Sequence, residues 1–118
     1  MQTLEKALLA VRAADNRRAR DILVLDLEGI SIIADYFVLC SGSNVRQVGA
    51  IAAQVIDELE EEGVEVVRSE GQDSARWVLL DYGDVVVHVF LESEREYYSL
   101  ERLWGDARRV DLTEVIQA

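Results

Sequence analysis

Apolar residues recur at helical spacing from the start of the chain. Leu4, Ala7, Leu8, Val11 and Ala14 predict an amphipathic helix that ends near Asp15 and Asn16. Residues 22–27 are almost continuously apolar and few in number, as in a buried strand. Glu28 and Gly29 turn the chain, and residues 31–34 form a short connector. Residues 36–40, with two aromatics and Val38, predict a second strand. After Ser41, Gly42, Ser43 and Asn44 comes a second helical stripe of Val48, Ile51, Ala52, Val55, Ile56 and Leu59. Gly63 stands where a left-handed cap would close it.

Residues 64–67 read as a third strand, followed by a polar loop over 69–74. Two more apolar runs, 77–80 and 85–91, are separated by Asp81, Tyr82, Gly83 and Asp84, a hairpin pattern. Ser93 and Glu96 have capping-box spacing, and Tyr97, Leu100, Leu103 and Trp104 give the face of a last helix before Gly105. The tail, 106–118, is weakly patterned. No proline, repeat or low-complexity linker divides the chain. The expectation is a single α/β domain: a mixed β-sheet of about five strands with flanking helices.

Charge narrows the candidate partners. The 118 residues hold 23 acidic and 12 basic side chains, a formal net charge of −11. So negative a fold repels phosphate backbones, so direct nucleic-acid binding is not expected and basic partners are favoured. The dense basic cluster is Arg17, Arg18 and Arg20. The lone Cys40 permits no internal disulfide, and with the lone His88 it assembles no Cys/His metal cluster. The chain shows no signal-peptide segment and no apolar run near the ~18 residues of a membrane span. The expected setting is the cytoplasm, with no membrane partner.

A strand, a Gly/Ser loop and a helix are also the ingredients of nucleotide sites, so residues 41–44 pose an enzymatic alternative. A P-loop needs a lysine, and there is none after Lys6. The dinucleotide fingerprint is missing as well. A nucleotidyltransferase needs two carboxylates at alternate positions of a strand to hold magnesium, and the strands offer no such pair. Ser43 and Asn44 are both strong helix-capping residues, so the loop reads as a cap. His88 among valines reads as a sheet residue and Cys40 as a small core residue. No catalytic residue, metal ligand or cofactor is expected.

Asp57, Glu58, Glu60, Glu61 and Glu62 crowd the end of the second helix, where the helix dipole disfavours acids. They are either a solvated face or a field for a cationic partner. In the hairpin, a two-residue loop of Tyr82 and Gly83 would pair Asp81 with Asp84, Leu79 with Val86 and Trp77 with His88. One face would then carry Trp77, His88 and two carboxylates, opposite a valine-rich core face. A three-residue loop would slip the register and turn Trp77 toward the valines. An indole flanked by carboxylates suits an arginine or lysine; equally, Trp77 covers core and the aspartates shape the turn.

These blocks resemble the ribosomal silencing factor family, RsfS, also called Iojap. The resemblance is carried by DYFVLCSGSNVRQVGAIA (35–52), Glu70–Gly71, ARWVLLDYGDVVVHVF (75–90) and REYYSLERLW (95–104). It reaches to about residue 110, giving a domain over 1–110 and a tail over 111–118. The resemblance implies a nucleotidyltransferase-like fold without catalytic carboxylates, and homodimers when free. It implies docking on a basic protein at the intersubunit face of the large ribosomal subunit, its protein number fourteen. That docking would block joining with the small subunit and repress translation under nutrient limitation. The family's organellar members instead assist large-subunit assembly, an alternative role here, with a nucleotide-binding transferase using residues 41–44 as a further one. The matched positions Trp77, Asp81, Asp84 and His88, with Glu70 beside them, are the implied docking surface, and Tyr98 and Glu101 extend it.

Overall fold

A computed structural model of the protein describes residues 1–94 and 107–116. The elements run α1 (Thr3–Asn16), β1 (Arg20–Asp26), β2 (Tyr36–Gly42), α2 (Val45–Glu61), β3 (Arg68–Glu70), β4 (Trp77–Asp81), β5 (Val85–Leu91) and β6 (Arg108–Arg109). The strands form one six-stranded sheet in the order β3-β4-β5-β2-β1-β6. Only β2 and β5, at its centre, run parallel; the other neighbours are antiparallel. The mixed α/β sheet expected from the sequence is thus present, with the short β6 as an edge strand that weak patterning had hidden.

Burial explains why these segments are strands. Every residue of β2 is buried, as befits a central strand covered on both faces. In β4 burial alternates, with Val78 and Leu80 buried and Trp77, Leu79 and Asp81 half-buried. Both helices pack on one face: Val11, Ile51, Val55 and Leu59 meet Val24, Val38, Cys40, Leu80 and Val87 in one cluster. Burying each Leu or Ile there contributes roughly 1.5–3 kcal/mol. The second face gathers Leu25, Phe37, Leu39, Val86 and Phe90, with Trp77 and Leu79 at its margin.

The third strand differs from expectation. Residues 64–67 do not form it: Val64 and Val66 pack against the core while β3 begins at Arg68. A three-residue edge strand takes its identity from pairing with β4, which its own polar residues do not advertise. Beyond β6, Val110, Leu112, Val115 and Ile116 pack against the helix-side core. The predicted last helix lies outside the described residues apart from its start, and so do Tyr98 and Glu101.

Candidate functional site

The hairpin of β4 and β5 and the edge strand β3 position the residues singled out by sequence. Trp77 pairs with Phe90, Leu79 with His88 and Asp81 with Val86. This register is shifted by two positions from the expected pairing of Trp77 with His88. The cause is the turn: Tyr82 donates its N–H to the Val85 carbonyl at 2.9 Å, so Gly83 and Asp84 form the tip instead of Tyr82 and Gly83. Gly83 adopts φ of +88°, a conformation that favours glycine and belongs at a tight tip. A slip of two preserves alternation, so Trp77 and His88 still share the second face while Val78, Leu80, Val87 and Val89 face the helices.

On that face the indole Nε1 donates to Nδ1 of His88 at 3.1 Å. The Trp77 ring stacks on Phe90, centroids 5.3 Å apart, and Phe37 meets the imidazole edge-on at 4.7 Å. Because Nδ1 accepts, the neutral imidazole carries its proton on Nε2, which is buried without a hydrogen-bond partner. Burial lowers the His88 pKa from 6.5 to about 4, so the ring is neutral near pH 7. His88 therefore braces Trp77 and is not itself a docking cation. The aromatic cluster of Trp77, His88, Phe90 and Phe37 was not readable in sequence as a unit, although Phe37 and Phe90 do fall at alternating positions.

The carboxylates divide. Asp81 caps the turn by accepting from the Gly83 N–H at 2.8 Å and lies 3.7 Å from the Arg68 guanidinium. Glu70 pairs with Leu79 across β3 and β4, which sets its exposed carboxylate on the same face as Trp77. Asp84 departs from the expected arrangement: at the hairpin tip it accepts from Thr3 Oγ1 at 2.7 Å and from Lys6 Nζ at 3.0 Å, both on α1. Burial opposes its ionisation, but these two partners bring its pKa below the usual carboxylate value. Asp84 thus locks helix to hairpin, because residue 84 belongs to the turn and turns toward the helical layer. Of the residues singled out by sequence, the fold brings Glu70, Trp77 and Asp81 onto one face, with His88 behind them.

Gly71 explains the Glu-Gly pair. Its φ is +84°, and a β-carbon there would stand 2.0 Å from the Trp77 carbonyl oxygen. Only glycine lets the chain leave β3 across the start of β4, just after Glu70 has paired with Leu79.

The 41–44 loop is a cap. Asn44 Oδ1 accepts from the Gln47 N–H at 2.9 Å, while Gln47 Oε1 takes the Ser43 N–H at 2.7 Å and the Ser43 hydroxyl at 2.9 Å. Asn44 is thus the N-cap, and Gln47, three residues on, reaches back one residue beyond it to the Ser43 N–H, a variant of the capping box whose spacing was present in the sequence. Gln47 Nε2 also donates to the Arg17 and Arg18 carbonyls, fastening the loop to the end of α1. Gly42 allows the close approach of this turn, since a β-carbon would come within 2.9 Å of Val48. Among the described residues no three His, Cys, Asp or Glu side chains converge as a metal site requires, and no helix is long and apolar enough to cross a membrane.

Comparison with known proteins adds the lineage. A family model described as "Ribosomal silencing factor during starvation" matches residues 1–118. A ribosomal silencing factor of Bacillus subtilis is 56% identical over 110 residues, 92% of this chain and 93% of the relative. That of Halalkalibacterium halodurans is 50% identical over 116 residues, 98% of this chain and 99% of the relative. A crystal structure of a protein from Chromobacterium violaceum superposes with a TM-score of 0.87 at 42% identity, covering 89% of this chain and 88% of that one.

Proposed function

The chain belongs to the ribosomal silencing factor family, and from that premise we propose that it binds the large ribosomal subunit through the β3–β4–β5 face and blocks joining of the small subunit. The partner is a basic protein on the intersubunit side, protein number fourteen, and the outcome is repression of translation under nutrient limitation. The protein works in the cytoplasm and is a homodimer when free.

The observation that carries this reading is the half-buried indole of Trp77, braced by His88 and Phe90 and sharing one sheet face with the carboxylates of Glu70 and Asp81. An aromatic surface edged with negative charge suits arginine and lysine side chains, combining cation–π contact with charge-assisted hydrogen bonds. Bracing matters because a pre-set anchor loses little freedom on docking. A net charge of −11 also steers the molecule toward a cationic surface. Regulation by occupancy needs competition for space and no bond chemistry.

Co-sedimentation with purified large subunits tests it. Trp77→Ala with Asp81→Asn is expected to weaken binding by about tenfold or more, with circular dichroism unchanged. Small-subunit joining in sucrose gradients should recover in parallel. Unaltered pelleting of this variant would remove the face from the model. Binding should also weaken as salt rises.

A further inference from the structure

The connection between β1 and β2 exposes three isoleucines in four residues: Ile30 is 47%, Ile33 67% and Ile32 106% accessible. Single exposed apolar side chains are ordinary, but several on one short loop mark an interaction surface.

The loop is nevertheless firmly built. Leu27 N–H bonds the Asp35 carbonyl at 2.7 Å, closing the base, and Ile30 and Ser31 N–H both bond the Leu27 carbonyl at 3.0 Å. Ile33 N–H is held by the Ser31 hydroxyl, and Glu28 N–H by the Asp26 carboxylate, each at 3.0 Å. Ala34 is buried in the second-face cluster, so the loop is pinned on its inner side while its isoleucines point out. Asp35 N–H reaches the Asp84 carbonyl at 2.8 Å, which joins the loop to the hairpin tip. A rigid apolar projection has little conformational freedom to lose on docking.

Its surroundings specify the partner. Glu28 and Asp35 stand at the base of the loop; Asp26, close behind, is paired with the Arg108 guanidinium at 3.0 Å. Tyr36, whose hydroxyl donates to Glu28 at 2.8 Å, has its pKa pushed up to about 12 by burial, by that bond and by these three carboxylates. The arrangement is an apolar knob with a collar of two acids, Glu28 and Asp35, at its base. Apposing two copies would bring collar against collar in a chain already at −11, and a phosphate backbone would meet the same repulsion. A protein pocket with an apolar floor and a lysine or arginine rim complements both features.

We propose that Ile30, Ile32 and Ile33 form a second anchor that inserts into an apolar, cation-rimmed pocket of the basic protein partner, next to the Asp81 end of the hairpin face. The proposal rests on the ribosome-binding reading above and adds a surface to it. Where Trp77 and the carboxylates give charge recognition, the loop gives apolar burial.

The test is co-sedimentation of wild type, Ile32→Ser/Ile33→Ser and Val45→Ser with purified large subunits, with light scattering of each free protein. Val45 is an exposed apolar residue at the first position of α2, at the other end of β2 from the loop. The isoleucine variant is expected to bind about tenfold or more weakly, with Val45→Ser and all three melting temperatures unchanged. Wild-type binding with an unimpaired isoleucine variant would overturn the second anchor and leave the hairpin reading standing. Absence of wild-type pelleting would overturn both. A variant whose light-scattering mass falls from dimer to monomer would overturn the proposed occupant, since the loop would then be covered by a second copy.

Discussion

The indole Nε1 of Trp77 donates a 3.1 Å hydrogen bond to Nδ1 of His88, linking two residues that lie on a diagonal of the β4–β5 hairpin. The bond fixes the indole's orientation and the histidine's tautomer at once. It makes the most exposed aromatic of the face depend on a buried polar ring two positions from its own pairing partner. Trp77→Phe keeps an aromatic but removes the donor and leaves the Nδ1 acceptor buried without a partner. The expected cost is about 1–3 kcal/mol in urea denaturation.

His88 also makes stability respond to acid. Unfolded, the imidazole takes up a proton near pH 6.5; folded, burial holds it neutral down to about 4. Between these values the unfolded chain binds more protons, so stability falls as pH is lowered through that window and stops falling on this account below it. The group's contribution to the fall is at most about 3 kcal/mol. Denaturation midpoints measured from pH 7 to 4 should show this slope, and His88→Phe should flatten it.

Asp84 is expected to be a structural residue. Its carboxylate joins the hairpin tip to Thr3 and Lys6 on α1, with the lysine and aspartate side chains 20% and 28% exposed. Asp84→Asn should lower stability by about 1–2 kcal/mol in thermal or urea denaturation. Because its folded pKa is depressed, the stabilisation is present above the unfolded carboxylate pKa and is lost as pH falls through the folded one. Large-subunit pelleting by Asp84→Asn should match wild type at temperatures where both are folded.

Two glycines separate strain from collision. Gly71 and Gly63 both have positive φ, +84° and +78°, but a β-carbon at 63 meets nothing within 4 Å while one at 71 strikes the Trp77 carbonyl oxygen. Gly63→Ala should cost about 1 kcal/mol and Gly71→Ala upward of about 3 kcal/mol in denaturant titration. The second change should also weaken ribosome binding, because it displaces the strand that carries Trp77.

Asn44→Ala tests the loop that resembles a nucleotide site. Loss of the cap should cost about 0.5–2 kcal/mol. A thermal-shift screen with nucleotides and magnesium should leave the wild-type melting temperature unmoved, because the Ser43 and Gln47 amides are already engaged within the loop.

Much of the fold was legible because local patterning and burial agree. The helical stripe from Val48 to Leu59, the start of α2 at Val45 and the limits of β5 follow from periodicity and capping chemistry alone. Face alternation also carried the hairpin through an error in its turn: a slip of two residues returns every side chain to its own side, so Trp77 stayed with His88 on the second face. The edge strands were not legible. Arg68–Glu70 and Arg108–Arg109 are polar, and they are strands only because β4 and β1 offer open hydrogen-bonding edges.

Sequence by itself determined the two helices and the four inner strands, the acidic character, the absence of a P-loop lysine and the family motifs, since each depends on residue type and short-range spacing. Tertiary structure decided which side chains are spent internally. Asp84 was drawn to Lys6, 78 positions away, and Nδ1 of His88 was taken by the Trp77 indole. It likewise left Ile32 outside on a braced loop. Whether a charge or an apolar group remains available to a partner depends on contacts between segments remote in the chain, and local pattern does not encode them.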